Sequence, residues 1–453
     1  MPTPIKKIVC IGAGYVGGPT MSVIADRCAN IQVTVVDMNT ARIAAWNSTS
    51  LPVYEPGLAE IVERTRGRNL HFIGQNEGAK AVAEADAVFI SVNTPTKTHG
   101  EGAGRASDLS FVESCAQFIA EHAQGYTIVI EKSTMPVRAA DTIKKILAKG
   151  NHGTSFDILS NPEFLAEGTA IRDLEKPDRV LIGGEKAEAV QALADVYAQW
   201  VPRSAIITTG LWSAELSKLA ANAFLAQRVS SINAISSICE ATEADVDEVA
   251  QVVGADSRVG PKFLKASIGF GGSCFKKDVL SLVYLCEHYR LPEAAAYWEQ
   301  VLKMKEWQKQ RITYKVIDQA MAGNGTVAVL GLAFKKNTND FRESPAIDTC
   351  NQMLQAGLKL KLYDAKVNFA EFAKVLLPSS TGSYTHAASV TEAMQGASAI
   401  FILTEWDEFK TIDWKAVAKA AQPNAGIFDG RAIIDVAAAK AAGFTVYSVG
   451  KAV

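Results

Sequence analysis

Residues 6–25 read KKIVCIGAGYVGGPTMSVIA. An apolar run short enough for one strand leads into glycines at 12, 14 and 17 and then into a stretch with helical spacing. A second apolar run, IQVTVVDMN at 31–39, ends on the acidic Asp37. Strand, Gly12-x-Gly14-x-x-Gly17 turn, helix, strand and terminal acid make a βαβ unit of the kind that holds a dinucleotide. Each glycine has a physical task in that reading. Gly12 permits the tight turn, Gly14 lets the backbone approach a pyrophosphate at the helix N-terminus, and Gly17 allows helix and strand to pack closely. Asp37 is expected to accept hydrogen bonds from the adenosine ribose hydroxyls. Its charge repels a ribose phosphate, so NAD is expected over NADP, with Arg42 the nearby cation that would favour the phosphate.

The same grammar continues outward. Apolar runs at ADAVFISVNTP (85–95), YTIVIEKST (126–134) and FDILSNPEF (156–164) are each followed by a turn signal and a helical stretch, as a parallel doubly wound sheet requires. After RVLIGG (179–184) and SAIITTG (204–210), the chain from Leu211 to about Met321 is almost wholly helical in pattern. Strands then return at TVAVLGLAFK (326–335), KLKLYDA (359–365), ASAIFILTEWD (397–407) and AGIFDGR (425–431). The expected fold is α/β: two Rossmann-like doubly wound domains joined by a central helical domain, with divisions at 1–210, 211–322 and 323–453. The second glycine turn, GLAFKKNTND, lacks the three-glycine pattern, which points to a mononucleotide rather than a second dinucleotide. The domains are expected to pack on one another.

Composition removes several function classes. Lys plus Arg at 46 against Asp plus Glu at 48 leaves a net charge of -2 with no basic block, so no nucleic-acid partner is expected. Seven cysteines (Cys10, Cys28, Cys115, Cys239, Cys274, Cys286, Cys350) lie without a CxxC pair, as reduced thiols of a cytoplasmic protein do. The six histidines are dispersed, so no metal site is expected. No apolar run approaches the ~18 residues of a membrane span, and the run near the start is too brief for a signal peptide.

One thiol stands apart. GFGGSCFKKD (269–278) delivers Cys274 to the start of a predicted helix, where orphan amides, the helix dipole and the following Lys276 and Lys277 favour a thiolate; the other reading is a small filler in a glycine-rich turn. Ser133 and Thr134 end a strand before Pro136, as contacts to nicotinamide or water or as helix caps. Glu163 and Glu167 follow Asn161-Pro162 and are four apart on what reads as one helical turn, with Glu163 either a general base or a solvated helix-start carboxylate. Lys218 and Asn222 share one face of the first central helix, as an oxyanion-binding pair or as a surface pair.

The series IGAGYVGGPT, VDMNTARI, ISVNTPTKT, EKSTMPVRAA, SNPEFLAEGTA, SKLAANAFLAQR, GFGGSCFKKD, GLAFKKNTNDFRES and FDGRAIID, in this order over nearly the whole chain, resembles the UDP-glucose/GDP-mannose dehydrogenase family, and within it the UDP-glucose 6-dehydrogenases. The resemblance implies an NAD domain, a helical centre that makes a dimer contact, and a UDP domain. It implies NAD-dependent oxidation of UDP-glucose to UDP-glucuronate with two NADH formed, through a thiohemiacetal and a thioester on Cys274. Glu163, Lys218, Asn222, Asp278 and Thr134 match the family's acid/base, oxyanion and water-ordering groups. Tyr15, Val16, Asp37, Arg42, Thr94, Ser133, Thr134, Glu167, Lys277 and Arg342 match its NAD contacts, with the three glycines. For UDP-glucose the matches are Glu163, Phe164, Leu165, Lys218 and Asn222, with Phe263, Lys265, Ser267, Phe270 and Gly271 in the loop that wraps sugar and pyrophosphate, and Phe334, Lys335 and Arg431. Arg258 resembles an arginine that reaches a neighbouring subunit's substrate, and the expected assembly is a homo-oligomer of dimers, a hexamer. The competing substrate within the same chemistry is another nucleotide sugar, GDP-mannose or a UDP-N-acetyl sugar. A 3-hydroxy acid oxidoreductase would share the first domain but needs no nucleophilic cysteine.

Overall fold

The structure, a computed structural model, describes residues 4–150, 153–379 and 381–452. The chain divides into two compact units, Met1–Ala221 with Leu280–Arg290, and Asn222–Val279 with Leu291–Val453. Each is built on one twisted sheet.

Among the described residues, the first unit carries eight strands: β1 (Lys7–Ile11), β2 (Gln32–Asp37), β3 (Leu70–Gly74), β4 (Ala87–Ile90), β5 (Tyr126–Glu131), β6 (Ser155–Ser160), β7 (Val180–Gly184) and β8 (Ile206–Thr209). Their spatial order is β3-β2-β1-β4-β5-β6-β7-β8. Along β1, Ile8 and Cys10 enter one apolar core while Val9 enters another on the opposite face. That double burial is why the strand reads as a continuous apolar run rather than an alternating one. The order reverses between β1 and β4, so the crevice beyond their carboxyl ends is the expected ligand position.

The glycine turn sits at that position. Gly12 has φ of 112°, and a Cβ there would stand 2.3 Å from the Ser91 carbonyl oxygen at the end of β4. Gly17 opens the helix Gly17–Arg27, and a Cβ on it would meet the Gly12 carbonyl at 2.0 Å. Gly18 lies under the fully buried Trp46, whose ring stacks on Phe72 and whose Nε1–H donates to the Ala13 carbonyl at 2.9 Å. Gly14 differs, because a Cβ there meets no protein atom within 4 Å.

The second unit repeats the plan with β9 (Thr326–Leu330), β10 (Lys359–Tyr363), β11 (Ser383–His386), β12 (Ala399–Ile402), β13 (Gly426–Asp429) and β14 (Thr445–Ser448). The order β11-β10-β9-β12-β13-β14 is all parallel and again reverses beside the first strand. Gly331 after β9 (φ 97°) abuts Thr404 after β12 as Gly12 abuts Ser91. Four long helices, Leu211–Thr242, Val246–Ala255, Phe275–His288 and Pro292–Ala322, fill the stretch that the sequence marks as helical.

Three strands escape the sequence pattern or depart from it. β3 is a short edge strand in which His71 is exposed between buried Leu70 and Phe72, and β11 is exposed at every residue, so neither shows an apolar run. β7 runs antiparallel to β6, with Leu159 opposite Gly184, instead of parallel. Residues 161–179 hold only the six-residue helix Ala170–Glu175, too little to carry the chain back along the sheet for a parallel return.

These contacts separate two glycines of one motif. Gly17→Ala forces backbone atoms apart and should cost at least about 1–3 kcal/mol in chemical unfolding, whereas Gly14→Ala, with open space beside it, should stay within about 1 kcal/mol of the parent and lose dinucleotide affinity instead.

Candidate active site

The dinucleotide end of the first unit is prepared by backbone and one acid. Val16 precedes the helix Gly17–Arg27 with no side-chain cap, which leaves the turn's amides to an anion. Asp37 is buried; one oxygen accepts from the Ala13 amide (2.8 Å) and Arg42 Nη1 (2.9 Å), the other from the Asn39 amide (2.8 Å). Arg42, held at the start of its helix by the Asn39 cap, is therefore the counter-ion of Asp37 rather than a waiting phosphate ligand. The open space at Gly14, the uncapped helix start and this acid fit NAD. Tyr15 donates from its hydroxyl to the Tyr54 carbonyl, and Thr94 from its hydroxyl to the Thr134 carbonyl.

Two readings of the sequence are corrected here. Ser133 and Thr134 are not helix caps: the next helix begins at Ala139, and the Ser133 hydroxyl donates to the Val92 carbonyl (2.6 Å), tying the end of β5 to the end of β4. Glu163 and Glu167 do not share a helical turn. After Pro162 the chain stays irregular, and the Glu163 carboxylate takes the amides of Phe164 (2.7 Å) and Leu165 (3.0 Å).

Nor is Glu163 solvated. Its second oxygen lies 2.9 Å from the ammonium of Lys132, which is itself buried and also touches Asn161 Oδ1 (3.2 Å) and the Tyr197 hydroxyl (3.3 Å). Burial acts to raise the Glu163 carboxyl, but the ammonium and the two amides outweigh it and hold it below the ordinary range. Burial likewise opposes the Lys132 charge, and Glu163 and Tyr197 more than restore it. Lys218 is buried on the helix Leu211–Thr242, with its ammonium 5.2 Å from the centre of the Phe164 ring, whose approach by Arg179 is closer still at 3.8 Å. The surface-pair reading of Lys218 therefore fails.

One turn earlier on that helix is Glu215, buried, which accepts the amides of Arg138 (2.7 Å) and Ala140 (3.1 Å). It meets Glu131, the last residue of β5, also buried, neither of whose oxygens has a donor among the described residues. Two touching carboxyls share a proton. Burial and the Glu215 charge push Glu131 well above the carboxylate range, and burial raises Glu215 as well, so the pair retains a proton with Glu131 its stronger holder.

The second unit carries the thiol. Cys274 directly precedes the helix Phe275–His288 and is exposed, whereas the other six cysteines are buried, and burial raises Cys28 and Cys115 to about 12. Of the seven, only Cys274 is an exposed residue. Asp278, one helical turn on, is buried and accepts from Asn222 Nδ2 at 2.6 Å, with the Lys277 ammonium 3.5 Å from its other oxygen. One amide hydrogen of Asn222 is thus spent on orientation and one remains for a ligand.

The loop before Cys274 is fixed from several sides. Its Ser267 amide donates to Asn233 (2.8 Å), its Gly272 amide to the Arg342 carbonyl (3.0 Å), and a Cβ on Gly271 would stand 2.7 Å from the Phe334 side chain. Arg431 donates to the carbonyls of Leu403 (2.6 Å), Phe334 (2.9 Å) and Gly269 (3.4 Å), so its guanidinium holds the loop to the sheet. Phe263 and Phe270 flank Phe275, Lys265 is exposed, and Lys335 lies over Phe334. Arg258 is 87% exposed and pairs with Asp256, two residues away. Arg342 pairs with Asp340.

Thr134, Glu163, Glu167 and Lys218 thus belong to the first unit, and Asn222, Cys274, Asp278, Lys277 and Arg342 to the second. The sequence reading missed Lys132, Tyr197, Glu131 and Glu215. The signal for two of them was present: an acid and a lysine, Glu131-Lys132, closing an otherwise apolar strand.

The chain is similar to known proteins over nearly its whole length. Residues 6–201 match the NAD binding domain of the UDP-glucose/GDP-mannose dehydrogenase family, 212–307 its central domain and 328–436 its UDP binding domain. UDP-glucose 6-dehydrogenase 5 of Oryza sativa subsp. japonica is 54% identical over 98% of this chain and 97% of its own, and UDP-glucose 6-dehydrogenase 2 of Arabidopsis thaliana is 52% identical over the same shares. The solved structure of a UDP-glucose dehydrogenase from the hyperthermophilic archaeon Pyrobaculum islandicum superposes with a TM-score of 0.86 at 28% identity, covering 100% of this chain and 99% of that one.

The buried acid pair has a measurable pH signature. Because the folded state raises the Glu131 pKa, its contribution is present below the unfolded value of about 4.3 and is lost as pH rises through the folded value, at about 1.4 kcal/mol for each pH unit over which the proton is retained. Glu131→Gln keeps the donor without the titration. Its Tm should match the parent near pH 5 and exceed it at alkaline pH; a parallel decline in both proteins would place the proton elsewhere.

Proposed function

Since the chain belongs to the UDP-glucose/GDP-mannose dehydrogenase family, we propose that it oxidises UDP-glucose to UDP-glucuronate with NAD, using Cys274 as nucleophile. The observation that carries the assignment of the thiol is its placement: the one exposed cysteine stands at a helix start, one turn from a buried acid oriented by Asn222. NAD, when bound, supplies the hydride acceptor for each of two oxidations. Gly12, Gly14, Gly17 and Asp37 would hold it, with Tyr15, Val16, Arg42, Thr94, Ser133, Glu167, Lys277 and Arg342 as further contacts. Nothing in the proposal calls for a metal.

The substrate chemistry requires a thiol for a definite reason. Loss of a hydride and a proton from the primary alcohol leaves an aldehyde, which has no second hydride to give until a nucleophile adds to its carbonyl. The Cys274 thiolate forms a C–S bond, and the resulting thiohemiacetal loses its hydride and a proton to become a thioester. Water then adds, the C–S bond breaks, and carboxylate and thiolate are released. Lys218 and the remaining amide hydrogen of Asn222 stabilise the developing oxyanion, and Thr134 orders water. Glu163 stays ionised beside Lys132, which suits it to accept a hydrogen bond from that water, while Asp278 serves Cys274 and Asn222. Phe164, Leu165, the loop from Phe263 to Gly271 with Lys265, Ser267 and Phe270, and Phe334, Lys335 and Arg431 bind the nucleotide sugar. Arg431 does so by holding the loop. The segments 1–210, 211–322 and 323–453 divide these tasks into cofactor, thiol and nucleotide.

Among the described residues no helix is long and apolar enough to cross a membrane. We place the protein in the cytoplasm on its seven cysteines without a disulfide, and as a hexamer built from dimers on two surface features. Arg258 extends into solvent, and the helix Leu211–Thr242 exposes Phe224 (60%) and Ile238 (57%). Mixing Arg258→Ala with Cys274→Ala chains should regain activity in hybrid sites; exchange of subunits without any regain removes the shared site.

Cys274→Ala should still bind UDP-glucose and NAD yet accumulate little NADH, because aldehyde left in the site returns to alcohol. The parent should form two NADH per UDP-glucose; the same yield at near-parental rate in the variant would make the sulfur dispensable. Removing the ribose acceptor with Asp37→Ala loses hydrogen bonds to a charged group, worth about 1.5–3 kcal/mol. The ratio of kcat/KM for NAD to that for NADP should therefore fall about tenfold or more, and an unchanged ratio sinks the assignment.

A further inference from the structure

We propose that Lys132 is a positioning residue for the oxidation and acts through Glu163, whose carboxylate it orients and counterbalances by an ion pair inside the first unit. The inference rests on the role given to Glu163 above. Lys132 has three N–H groups and three oxygens around it: Glu163 Oε2 at 2.9 Å, Asn161 Oδ1 at 3.2 Å and the Tyr197 hydroxyl at 3.3 Å. Its donors are spent on protein, so it is not a ligand for substrate. The acceptors are themselves locked, because Asn161 donates to the Leu181 carbonyl (2.8 Å) and Tyr197 donates to Asn161 Oδ1 (2.6 Å). A lysine buried to 3% exposure is costly unless paired, and here the pair leads to a carboxylate that the Thr20 hydroxyl of the cofactor helix approaches at 3.5 Å.

The surroundings of Glu163 show what Lys132 adds. From the chain after β6 come the Phe164 and Leu165 amides, from the helix Gly17–Arg27 the Thr20 hydroxyl at 3.5 Å, and from the segment before β7 Arg179, held over the Phe164 ring. Tyr197, on the helix Ala187–Tyr197, faces the pair with a neutral phenol. Lys132 is the one cation in direct contact with the carboxylate among these groups. With it, Glu163 is an anion fixed at both oxygens; without it, burial acts unopposed by any charge in contact and favours the protonated acid, which cannot accept a proton or fix water by the same lone pair.

The test is the pH dependence of UDP-glucose oxidation between about pH 6 and pH 9 in Lys132→Met, Lys132→Arg and Glu163→Gln proteins, with Tm recorded at each pH. In Lys132→Met the acid limb should move to higher pH, so that the loss relative to the parent is at least about tenfold greater at the acid end than at the alkaline end. Lys132→Arg, which keeps the charge, should keep the limb in its parental place. If Lys132→Met does not fold, Lys132→Gln takes its place against Lys132→Arg. A folded neutral variant with a parental limb, or with the same loss at every pH, overturns the proposal and leaves Lys132 a structural pair. Parental turnover and a parental limb in Glu163→Gln would instead remove the role of Glu163 itself, so the two failures are distinct.

Discussion

The carbonyl oxygen of Gly12 has no room beside it for a side chain at Gly17, and the Cβ position of Gly12 is taken by the Ser91 carbonyl. This close approach sets the helix Gly17–Arg27 against the ends of β1 and β4. From it follow the depth at which Trp46 covers Gly18, the placing of the uncapped helix start, and the reach of Asp37 to the Ala13 amide. Gly14 is the one glycine of the three with open space where a Cβ would stand. A motif that looks uniform in sequence thus contains two glycines required by packing and one that packing leaves unconstrained.

The second sheet uses the same constraint for another end. Gly331 and Thr404 repeat the contact of Gly12 and Ser91, and Asp364 just after β10 stands where Asp37 stands at the end of β2. Asp364, however, spends one oxygen on the Leu332 and Ala333 amides and the Trp406 indole, and the other on the Lys366 and Val367 amides. It closes its own turn and keeps little capacity for a ribose. The repeated topology is inherited by both units, while the hydrogen-bond commitments of one acid decide what each holds.

Charge burial at the end of β5 is the third organising feature. Glu131 and Lys132 are adjacent in sequence, point to opposite partners and are both removed from water. One finds Glu215 and is satisfied by holding a proton; the other finds Glu163 and is satisfied by an ion pair. The two solutions anchor the turn that carries Ser133 and Thr134 from either side. A single unpaired charge in this position would be strongly destabilising, which is why both acids and the lysine come with partners from distant parts of the chain.

Much was determined by the sequence alone, and for a local reason. Strands buried on both faces need apolar runs, a helix set against a strand end needs glycine, and an exposed thiol at a helix start is announced by the glycines before Cys274 and the helical spacing after it; each of these is written within about twenty residues. The two doubly wound sheets, the helical stretch between them and the thiol loop were legible on that scale. Tertiary structure alone decided the rest. The edge strands β3 and β11 exist because a neighbouring strand supplies hydrogen bonds, not because their residues are apolar, and the reversal of β7 comes from a connection with no length to return. Glu163 stands outside any helix and gained Lys132 from thirty-one residues earlier, and Glu131 found Glu215 eighty-four residues later. Pairings at such separations depend on which strand lies beside which, and the spacing of residues along the chain carries no record of that.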